Sequence, residues 1–215
     1  MKFRKAVLFD YDGVLADTMQ DMYAAWSFAL NVYKKVKVSK TFFFLLEGMP
    51  AQKMSEKLIK EYNIDKGVIN DIIKQKDDYY SKNNKFKIND KTIRIVNYLK
   101  QRGVFTAIVS GAPRRRIYKM ISPSILSKFH TVVTSDDVRR GKPEPEPFLK
   151  AVKKLKVRKQ DTIVIENAPL GVESAKKAGI YCIAVESTLQ KKYLLKADKI
   201  FKDFDDLYIY FKQTF

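Results

Sequence analysis

Short apolar runs alternate with longer amphipathic segments along most of this chain, and this alternation is the feature that most constrains its fold. A helical segment closed by glycine, DKTIRIVNYLKQRG, leads directly into the apolar run VFTAIVS, and the same order recurs towards the C-terminus. Continuously apolar strands that alternate with helices indicate a parallel sheet covered on both faces. We therefore predict an α/β fold with strands near residues 5–10, 104–110, 130–135, 161–167, 180–186 and 199–201.

The segment from residue 17 to residue 87 differs from the rest of the chain, because its apolar residues recur at helical spacing and it contains no convincing strand. Met22, Trp26, Leu30 and Tyr33 recur at intervals that place them on one face of a helix. We predict that residues 17–87 form an all-helical insert, and that residues 1–16 and 88–215 form the core that contains the sheet.

The composition is that of a soluble globular protein. Of the 215 residues, 46% are hydrophobic, and no apolar run approaches the roughly 20 residues that a membrane-spanning helix needs. The net charge of +18 comes from lysines spread along the chain, which favours a solvated surface over a nucleic-acid site, although its field favours anionic substrates. The single cysteine, Cys182, excludes an intrachain disulfide and indicates a reducing compartment. We expect a cytoplasmic monomer that binds neither membranes nor nucleic acid.

Polar residues follow four of the predicted strands closely. They are Asp10 and Asp12, then Ser110 and Gly111, then Lys142, and finally Glu166 and Asn167. Ligands of parallel α/β sheets bind beyond the carboxyl ends of the strands, so these groups are expected to converge. Carboxylate and amide oxygens suit Mg²⁺, whereas a hydroxyl, a backbone N–H and an ammonium group suit phosphate oxygens. Each motif alone is typical of an ordinary turn or helix cap, and it is their order and shared location that indicate a site.

Different roles follow for the two aspartates. Asp10 is the expected nucleophile, which attacks phosphorus to form an aspartyl-phosphate, while Mg²⁺ and Lys142 keep its carboxylate ionised. Asp12 is the expected general acid for the leaving alcohol and then the general base for water. Ser110, the N–H of Gly111 and Lys142 are the expected phosphate binders.

The sequence resembles the haloacid dehalogenase-like hydrolases, specifically the subgroup with a helical cap after the first motif. Four segments carry the resemblance, which covers about residues 5–203: FDYDGVLADT, IVSG, GKPEPEPF and VIENAPLGVESAKKAG. It implies a Rossmann-like parallel sheet core flanked by helices, with an inserted, mobile all-helical cap. It also implies Mg²⁺ held by the Asp10 carboxylate, the Asp12 backbone carbonyl and the Glu166–Asn167 pair.

Within this family, an acid at Asp12 points to phosphate ester hydrolysis or phosphomutase chemistry and away from dehalogenation. We favour a phosphatase for a small phosphorylated metabolite such as phosphoglycolate, a sugar phosphate or a nucleotide. β-Phosphoglucomutase is the alternative within the family, although that enzyme has a histidine where this chain has Met22. A non-catalytic protein that binds nucleic acid or another partner on the same scaffold is the alternative of a different class.

Two further expectations concern metal affinity and specificity. The fourth motif of the family usually reads Glu-Asp, so the neutral Asn167 predicts weaker Mg²⁺ binding than an aspartate would give. Substrate specificity is expected to depend on the cap, which forms the roof over the leaving group, and on the start of the helix after Ser110. The candidate residues for specificity are Glu47, Gly48, Met49, Lys53 and Arg114.

Overall fold

A computed structural model describes residues 5–215, and its centre is a sheet of six parallel strands. The strand order is β3-β2-β1-β4-β5-β6, so the first strand lies in the middle and the chain winds outwards on both sides. The predicted parallel α/β sheet is confirmed. The strands are β1 (Ala6–Phe9), β2 (Phe105–Val109), β3 (Thr131–Val133), β4 (Thr162–Glu166), β5 (Tyr181–Val185) and β6 (Lys199–Phe201).

The α-helices fall into two groups along the chain. Four follow β1 in succession and do not alternate with strands: α1 (Met19–Tyr33), α2 (Lys40–Leu45), α3 (Ala51–Glu61) and α4 (Ile69–Asn83). The others connect or flank the strands: α5 (Asp90–Gln101), α6 (Arg114–Met120), α7 (Pro123–Leu126), α8 (Glu146–Leu155), α9 (Pro169–Lys177) and α10 (Phe204–Thr214). Short 3₁₀ turns occupy Lys66–Val68, Ser135–Asp137, Lys159–Asp161 and Lys191–Tyr193. None of the helices formed by residues 5–215 is long and apolar enough to cross a membrane.

The central strand shows why the sheet is buried on both faces. All four residues of β1 are fully buried, and their side chains alternate between two separate hydrophobic clusters. Val7 and Phe9 pack into one cluster, whereas Ala6 and Leu8 pack into the other, as the two-residue period of a strand requires. The carboxyl end of β1 is therefore enclosed on both sides, and Asp10 follows it directly.

The four helices after β1 have a hydrophobic cluster of their own. Trp26, Phe43, Leu58 and Ile72 are buried members of this cluster, one from each helix, and α1 packs against α4. The chain passes between this cluster and the sheet near an isolated bridge that pairs Ala16 with Ile88. We call α1 to α4 and their connections the cap. The division into a core of residues 1–16 and 88–215 and a cap of residues 17–87 stays a prediction.

Asp137, in the turn after β3, ties two helices to the edge of the sheet. Its carboxylate accepts hydrogen bonds from the backbone N–H and the hydroxyl of Thr134, at 2.9 and 2.8 Å. It also pairs with Arg114 Nη2 of α6 at 2.9 Å and with Lys154 Nζ of α8 at 3.1 Å. Burial alone would raise the pKa of Asp137, but the Thr134 hydrogen bonds and Lys154 outweigh burial and lower the pKa to about 2.

We predict that Asp137→Asn lowers the free energy of unfolding by about 1–3 kcal/mol at neutral pH, because charge-assisted hydrogen bonds are lost. A carboxyl whose pKa is depressed by folding stabilises the protein above its unfolded pKa and loses that contribution as the pH falls to about 2. Urea denaturation of the parent and of Asp137→Asn, measured from neutral pH down to about pH 2, should therefore show that their free energies of unfolding converge as the pH falls. A gap that stays constant with pH would contradict this assignment.

Candidate active site

The predicted strand-end residues meet around one buried ammonium group. Asp10 follows β1, Glu166 is the last residue of β4, and Lys142 lies in the loop between β3 and α8. Lys142 Nζ donates to the Asp10 carboxylate, to Glu166 Oε1 at 2.6 Å, and to the backbone oxygen of Val109 at 3.4 Å. All three side chains are at least 93% buried. Lys142 therefore holds two carboxylates from neighbouring strands side by side.

Burial and charge act in opposite directions on this cluster. Burial alone would lower the pKa of Lys142, but the carboxylates of Asp10 and Glu166 outweigh it and keep the pKa above its usual value. Burial raises the pKa of Asp10 above its usual range, while Lys142 opposes this effect. A cation close to Asp10 would favour the ionised form that a nucleophile needs.

Glu166 contacts three donors of the core. Besides Lys142, it accepts hydrogen bonds through Oε2 from the backbone N–H groups of Asn167 at 3.0 Å and Ala168 at 3.3 Å. It therefore lies at the N-terminal end of α9, where anions are stabilised. Glu166 acts in this structure as the partner that positions Lys142.

Asp12 is held by two donors. Its Oδ1 accepts from Thr18 Oγ1 at 2.6 Å, and its Oδ2 accepts from Arg116 Nη2. The Arg116 guanidinium also lies near the rings of Tyr11 and Tyr80, 5.7 and 5.8 Å from their centroids. Arg116 thus connects the core helix α6 to Asp12 and to α4 of the cap.

The second of the four family motifs, IVSG, ends at Ser110 and Gly111, directly after β2. Ser110 is 3% exposed, and its hydroxyl oxygen accepts a hydrogen bond from the backbone N–H of Ala112 at 3.0 Å. Gly111 and Ala112 line the cavity described below. Ser110 itself is not part of the cavity lining, so its role as a phosphate binder stays a prediction.

The cap reaches the core through the loop that contains Glu47, Gly48 and Met49. Gly48 has φ of +85°, and a Cβ at this position would lie 3.1 Å from Lys142 Cδ. A Cβ at Gly111 would lie only 2.7 Å from the Gly48 carbonyl oxygen. Only glycine fits these two close approaches, so the loop is pressed directly against the core.

Glu47 enters the core beside the fourth motif. Its Oε1 accepts a hydrogen bond from Asn167 Nδ2 at 3.1 Å, and the same amide donates to Thr188 Oγ1 at 2.8 Å. Burial raises the pKa of Glu47 well above its usual value, and the Asp10 carboxylate adds to this effect. In the described part of the chain, Glu47 Oε2 and Asn167 Oδ1 are both buried without a hydrogen-bond partner.

A cavity of about 390 Å³ separates the cap from the carboxyl ends of the strands. Asp10, Asp12 and Glu47 lie along it, and Trp26, Phe43 and Tyr80 give it aromatic walls. Five of the six methionines of the sequence also line it: Met19, Met22, Met49, Met54 and Met120. Since methionine is flexible and polarisable, this wall can adapt to the shape of a ligand.

The residues proposed for specificity divide into two groups. Glu47, Gly48 and Met49 line the cavity, as expected from the sequence. Lys53 and Arg114 do not line it, contrary to that expectation: Lys53 is on the exposed face of α3, and Arg114 pairs with Asp137. Arg116, which the sequence did not single out, occupies the cavity wall instead. Arg115 also borders the cavity, but its side chain is 79% exposed, whereas that of Arg116 is 16% exposed. Helical geometry points consecutive side chains in different directions, and the packing of α6 buries only Arg116 of these three.

The carboxylate and amide oxygens of this site are suitable ligands for a hard divalent cation. No three acidic, histidine or cysteine side chains among residues 5–215 form a metal cage by themselves, so a cation would also need an amide or carbonyl oxygen. The buried, unpartnered Asn167 Oδ1 meets that need, next to the equally unpartnered Glu47 Oε2. Both are hard oxygen ligands of the kind that Mg²⁺ prefers.

We predict that Gly171→Ala disrupts the site, because a Cβ there would lie 1.8 Å from Glu166 Oε1, the atom that Lys142 contacts. Alanine ordinarily stabilises a helix by about 0.5–1 kcal/mol relative to glycine, so a purely helical effect would raise the melting temperature. Thermal unfolding should instead show a lower melting temperature. A stabilised Gly171→Ala protein would contradict the close contact.

Comparison with known proteins agrees with this geometry. The family described as haloacid dehalogenase-like hydrolase matches residues 7–185. The chain is similar to validoxylamine A 7'-phosphate phosphatase of Streptomyces hygroscopicus subsp. limoneus, with 33% identity over 119 residues, which cover 55% of this chain and 56% of that one. It is also similar to a phosphorylated carbohydrates phosphatase of Thermotoga maritima, with 28% identity over 202 residues, which cover 91% of this chain and 92% of that one.

Among solved structures, β-phosphoglucomutase of Clostridium difficile shares the fold, with a TM-score of 0.81 and 22% identity over 99% of this chain and 97% of that one. The family match spans the strand-end residues from Asp10 to Asn167 together with the helical segment between the first two strands. The chain therefore belongs to the haloacid dehalogenase-like hydrolase family.

Proposed function

We propose that this protein is a Mg²⁺-dependent phosphatase that hydrolyses small phosphomonoesters through an aspartyl-phosphate on Asp10. The observation that carries the proposal is the position of Asp10, a 95% buried carboxylate at the end of the central strand, beside Lys142 and along the cavity. Asp12, two residues later, supplies a second carboxylate on the same cavity wall. A nucleophile and a separate acid–base group are the two functions that the reaction requires.

In the first step, a carboxylate oxygen of Asp10 attacks phosphorus and forms an acyl-phosphate bond. The ester P–O bond breaks, its electron pair goes to the leaving oxygen, and Asp12 supplies the proton that makes this oxygen an alcohol. Lys142, the Ser110 hydroxyl and the backbone N–H of Gly111 stabilise the negative charge on the phosphoryl oxygens.

In the second step, water attacks phosphorus while Asp12, now a carboxylate, takes one of its protons. The bond between phosphorus and the Asp10 oxygen breaks, which releases inorganic phosphate and regenerates the Asp10 carboxylate. Asp12 is then protonated and ready for the next cycle, so one general acid–base group serves both halves.

The Asp10 carboxylate, the Asp12 backbone carbonyl and Asn167 Oδ1 would hold Mg²⁺. The ion supplies positive charge, which reduces repulsion between the anionic nucleophile and the anionic phosphoryl group. Glu166, whose oxygens are taken by Lys142 and two backbone N–H groups, acts on this site through Lys142.

Asp12 has to exchange partners during this cycle. Both of its oxygens accept hydrogen bonds, from Thr18 and Arg116. Proton transfer to a leaving oxygen requires that substrate replace one of these donors. Arg116 contacts Met22 Sδ at 3.1 Å and lies near Tyr80, so this exchange would also alter contacts with the cap.

The cavity limits the size of the substrate. Its volume of about 390 Å³ lies near the lower end of small-molecule sites, which range from about 300 to 1,000 Å³. A phosphoryl group with a leaving group of metabolite size fits such a volume. Release of inorganic phosphate from a panel of phosphorylated metabolites, with Mg²⁺ and with a chelator, tests the proposal directly; no release from any member with Mg²⁺ would contradict it.

We predict that Asp12→Asn slows the turnover of an alkyl phosphate by about 10²–10⁴-fold, because general acid–base catalysis is lost. 4-Nitrophenyl phosphate has a leaving group that departs without a proton, so Asp12→Asn should still form the aspartyl-phosphate from this substrate at close to the parental rate. Stopped-flow absorbance should show a burst of nitrophenolate near one equivalent per enzyme, followed by slow turnover as the aspartyl-phosphate awaits hydrolysis. Equal losses for both substrates without a burst would contradict the role of Asp12.

A phosphosugar mutase is the second candidate, and the burial of Asp10 beneath the closed cap favours it. A mutase must protect its phospho-aspartate from water while the intermediate reorients, and an enclosed site provides such protection. Incubation with β-glucose 1-phosphate separates the two functions by ³¹P NMR. Accumulation of glucose 6-phosphate supports the mutase, and inorganic phosphate as the product supports the phosphatase.

A further inference from the structure

The charges around Asp10 do not balance among the side chains of residues 5–215. Four carboxylates lie close together, and two cations face them, Lys142 and Arg116. The carboxylates are those of Asp10, Asp12, Glu47 and Glu166. If all four were ionised, two negative charges would have no matching cation among these side chains, in a buried region where unpaired charge is costly.

Glu47 carries much of this imbalance. It is 4% exposed, forms no ion pair within residues 5–215, and accepts one hydrogen bond, from the neutral amide of Asn167. Its second oxygen, Oε2, has no partner among the described residues. A buried carboxylate with a free oxygen lacks a cation that the described chain does not supply.

Asn167 offers the matching free atom. Its amide nitrogen donates to Glu47 Oε1 and Thr188 Oγ1, which orients the side chain and leaves Oδ1 buried without a donor. The two unpartnered oxygens thus belong to side chains that hydrogen-bond each other. One comes from the cap and the other from the end of β4 in the core.

We propose that Glu47 is a ligand of the divalent cation, and that its carboxylate supplies from the cap the negative charge that Asn167 lacks. The inference rests on the proposed function only for the presence of that cation. An aspartate at position 167 and a neutral residue at position 47 would give the same total charge. In this chain one acidic ligand of the proposed site therefore lies in the cap and not in the core.

The position of Glu47 couples the metal to cap closure. The backbone of Gly48 lies against Gly111 and Lys142, so Glu47 reaches Asn167 only while this loop is seated on the core. A cation that binds both Glu47 and Asp10 therefore stabilises the closed cap, and by reciprocity closure of the cap raises the affinity for the cation. An open cap leaves a weaker site made of Asp10, Asn167 and backbone oxygen.

Mn²⁺ titration followed by electron paramagnetic resonance of the free ion tests the proposal without any catalytic readout. We expect Glu47→Gln to weaken Mn²⁺ binding by about 10–100-fold, as loss of a supporting carboxylate does elsewhere. Glu56→Gln, which removes an exposed carboxylate of α3, is the matched control and should bind Mn²⁺ like the parent. Parental affinity in Glu47→Gln would overturn the proposal.

A second test exchanges the acidic and the amide side chain between positions 47 and 167. Glu47→Gln combined with Asn167→Asp returns the charge to the core and keeps one amide and one carboxylate in contact, so Mn²⁺ affinity should recover towards that of the parent. A double variant that binds no better than Glu47→Gln would argue against charge exchange between these positions. Melting temperatures without metal check the fold, and Glu47→Gln should match or exceed the parent because the cost of burying an unpaired acid is removed.

A third test measures amide hydrogen exchange in the parent protein, with and without Mn²⁺. Addition of Mn²⁺ should slow the exchange of amides in residues 46–49, because the ion draws Glu47 onto the core. Unchanged exchange in this loop at saturating Mn²⁺ would overturn the proposal. These outcomes are independent of phosphatase activity, because failure of the proposed function would appear as absent phosphate release with Mn²⁺ binding intact.

Discussion

The contact on which the rest of the site depends is the buried ammonium of Lys142 between Asp10 and Glu166. Two carboxylates at the ends of adjacent strands would repel each other in a region shielded from water, and Lys142 makes their proximity stable. Glu166 is in turn fixed by backbone N–H groups at the start of α9. The parallel pairing of β1 with β4 brings these residues together, so the sheet itself sets the geometry of Asp10, the proposed nucleophile.

The cap completes this site. Its loop at Glu47 and Gly48 lies directly on Gly111 and Lys142, and its helices and connections together supply more than half of the residues that line the cavity. Arg116 contacts cap residues while it holds Asp12, which connects the acid–base group to the same closure. The partners of Asp12 and the proposed metal ligand Glu47 therefore depend on how the cap sits on the sheet.

Much of this arrangement could be predicted from sequence because its signals are local. Continuous apolar runs identified the strands, and the rule that sites lie at the carboxyl ends of parallel strands brought Asp10, Lys142 and Glu166 together before any coordinates. Arg116 could not be chosen over Arg114 because the choice depends on how α6 packs against the cap. The partnership of Glu47 with Asn167 was also inaccessible, since it joins positions 120 residues apart through a loop conformation.

The measurement that tests the central claim most directly is rapid acid quench of the reaction with a radiolabelled phosphomonoester, followed by peptide mapping. The account predicts a label on the peptide that contains Asp10, formed before inorganic phosphate appears and removed by hydroxylamine as an acyl-phosphate is. Release of inorganic phosphate with no label on that peptide at any quench time, or a label on another residue, would contradict nucleophilic attack by Asp10.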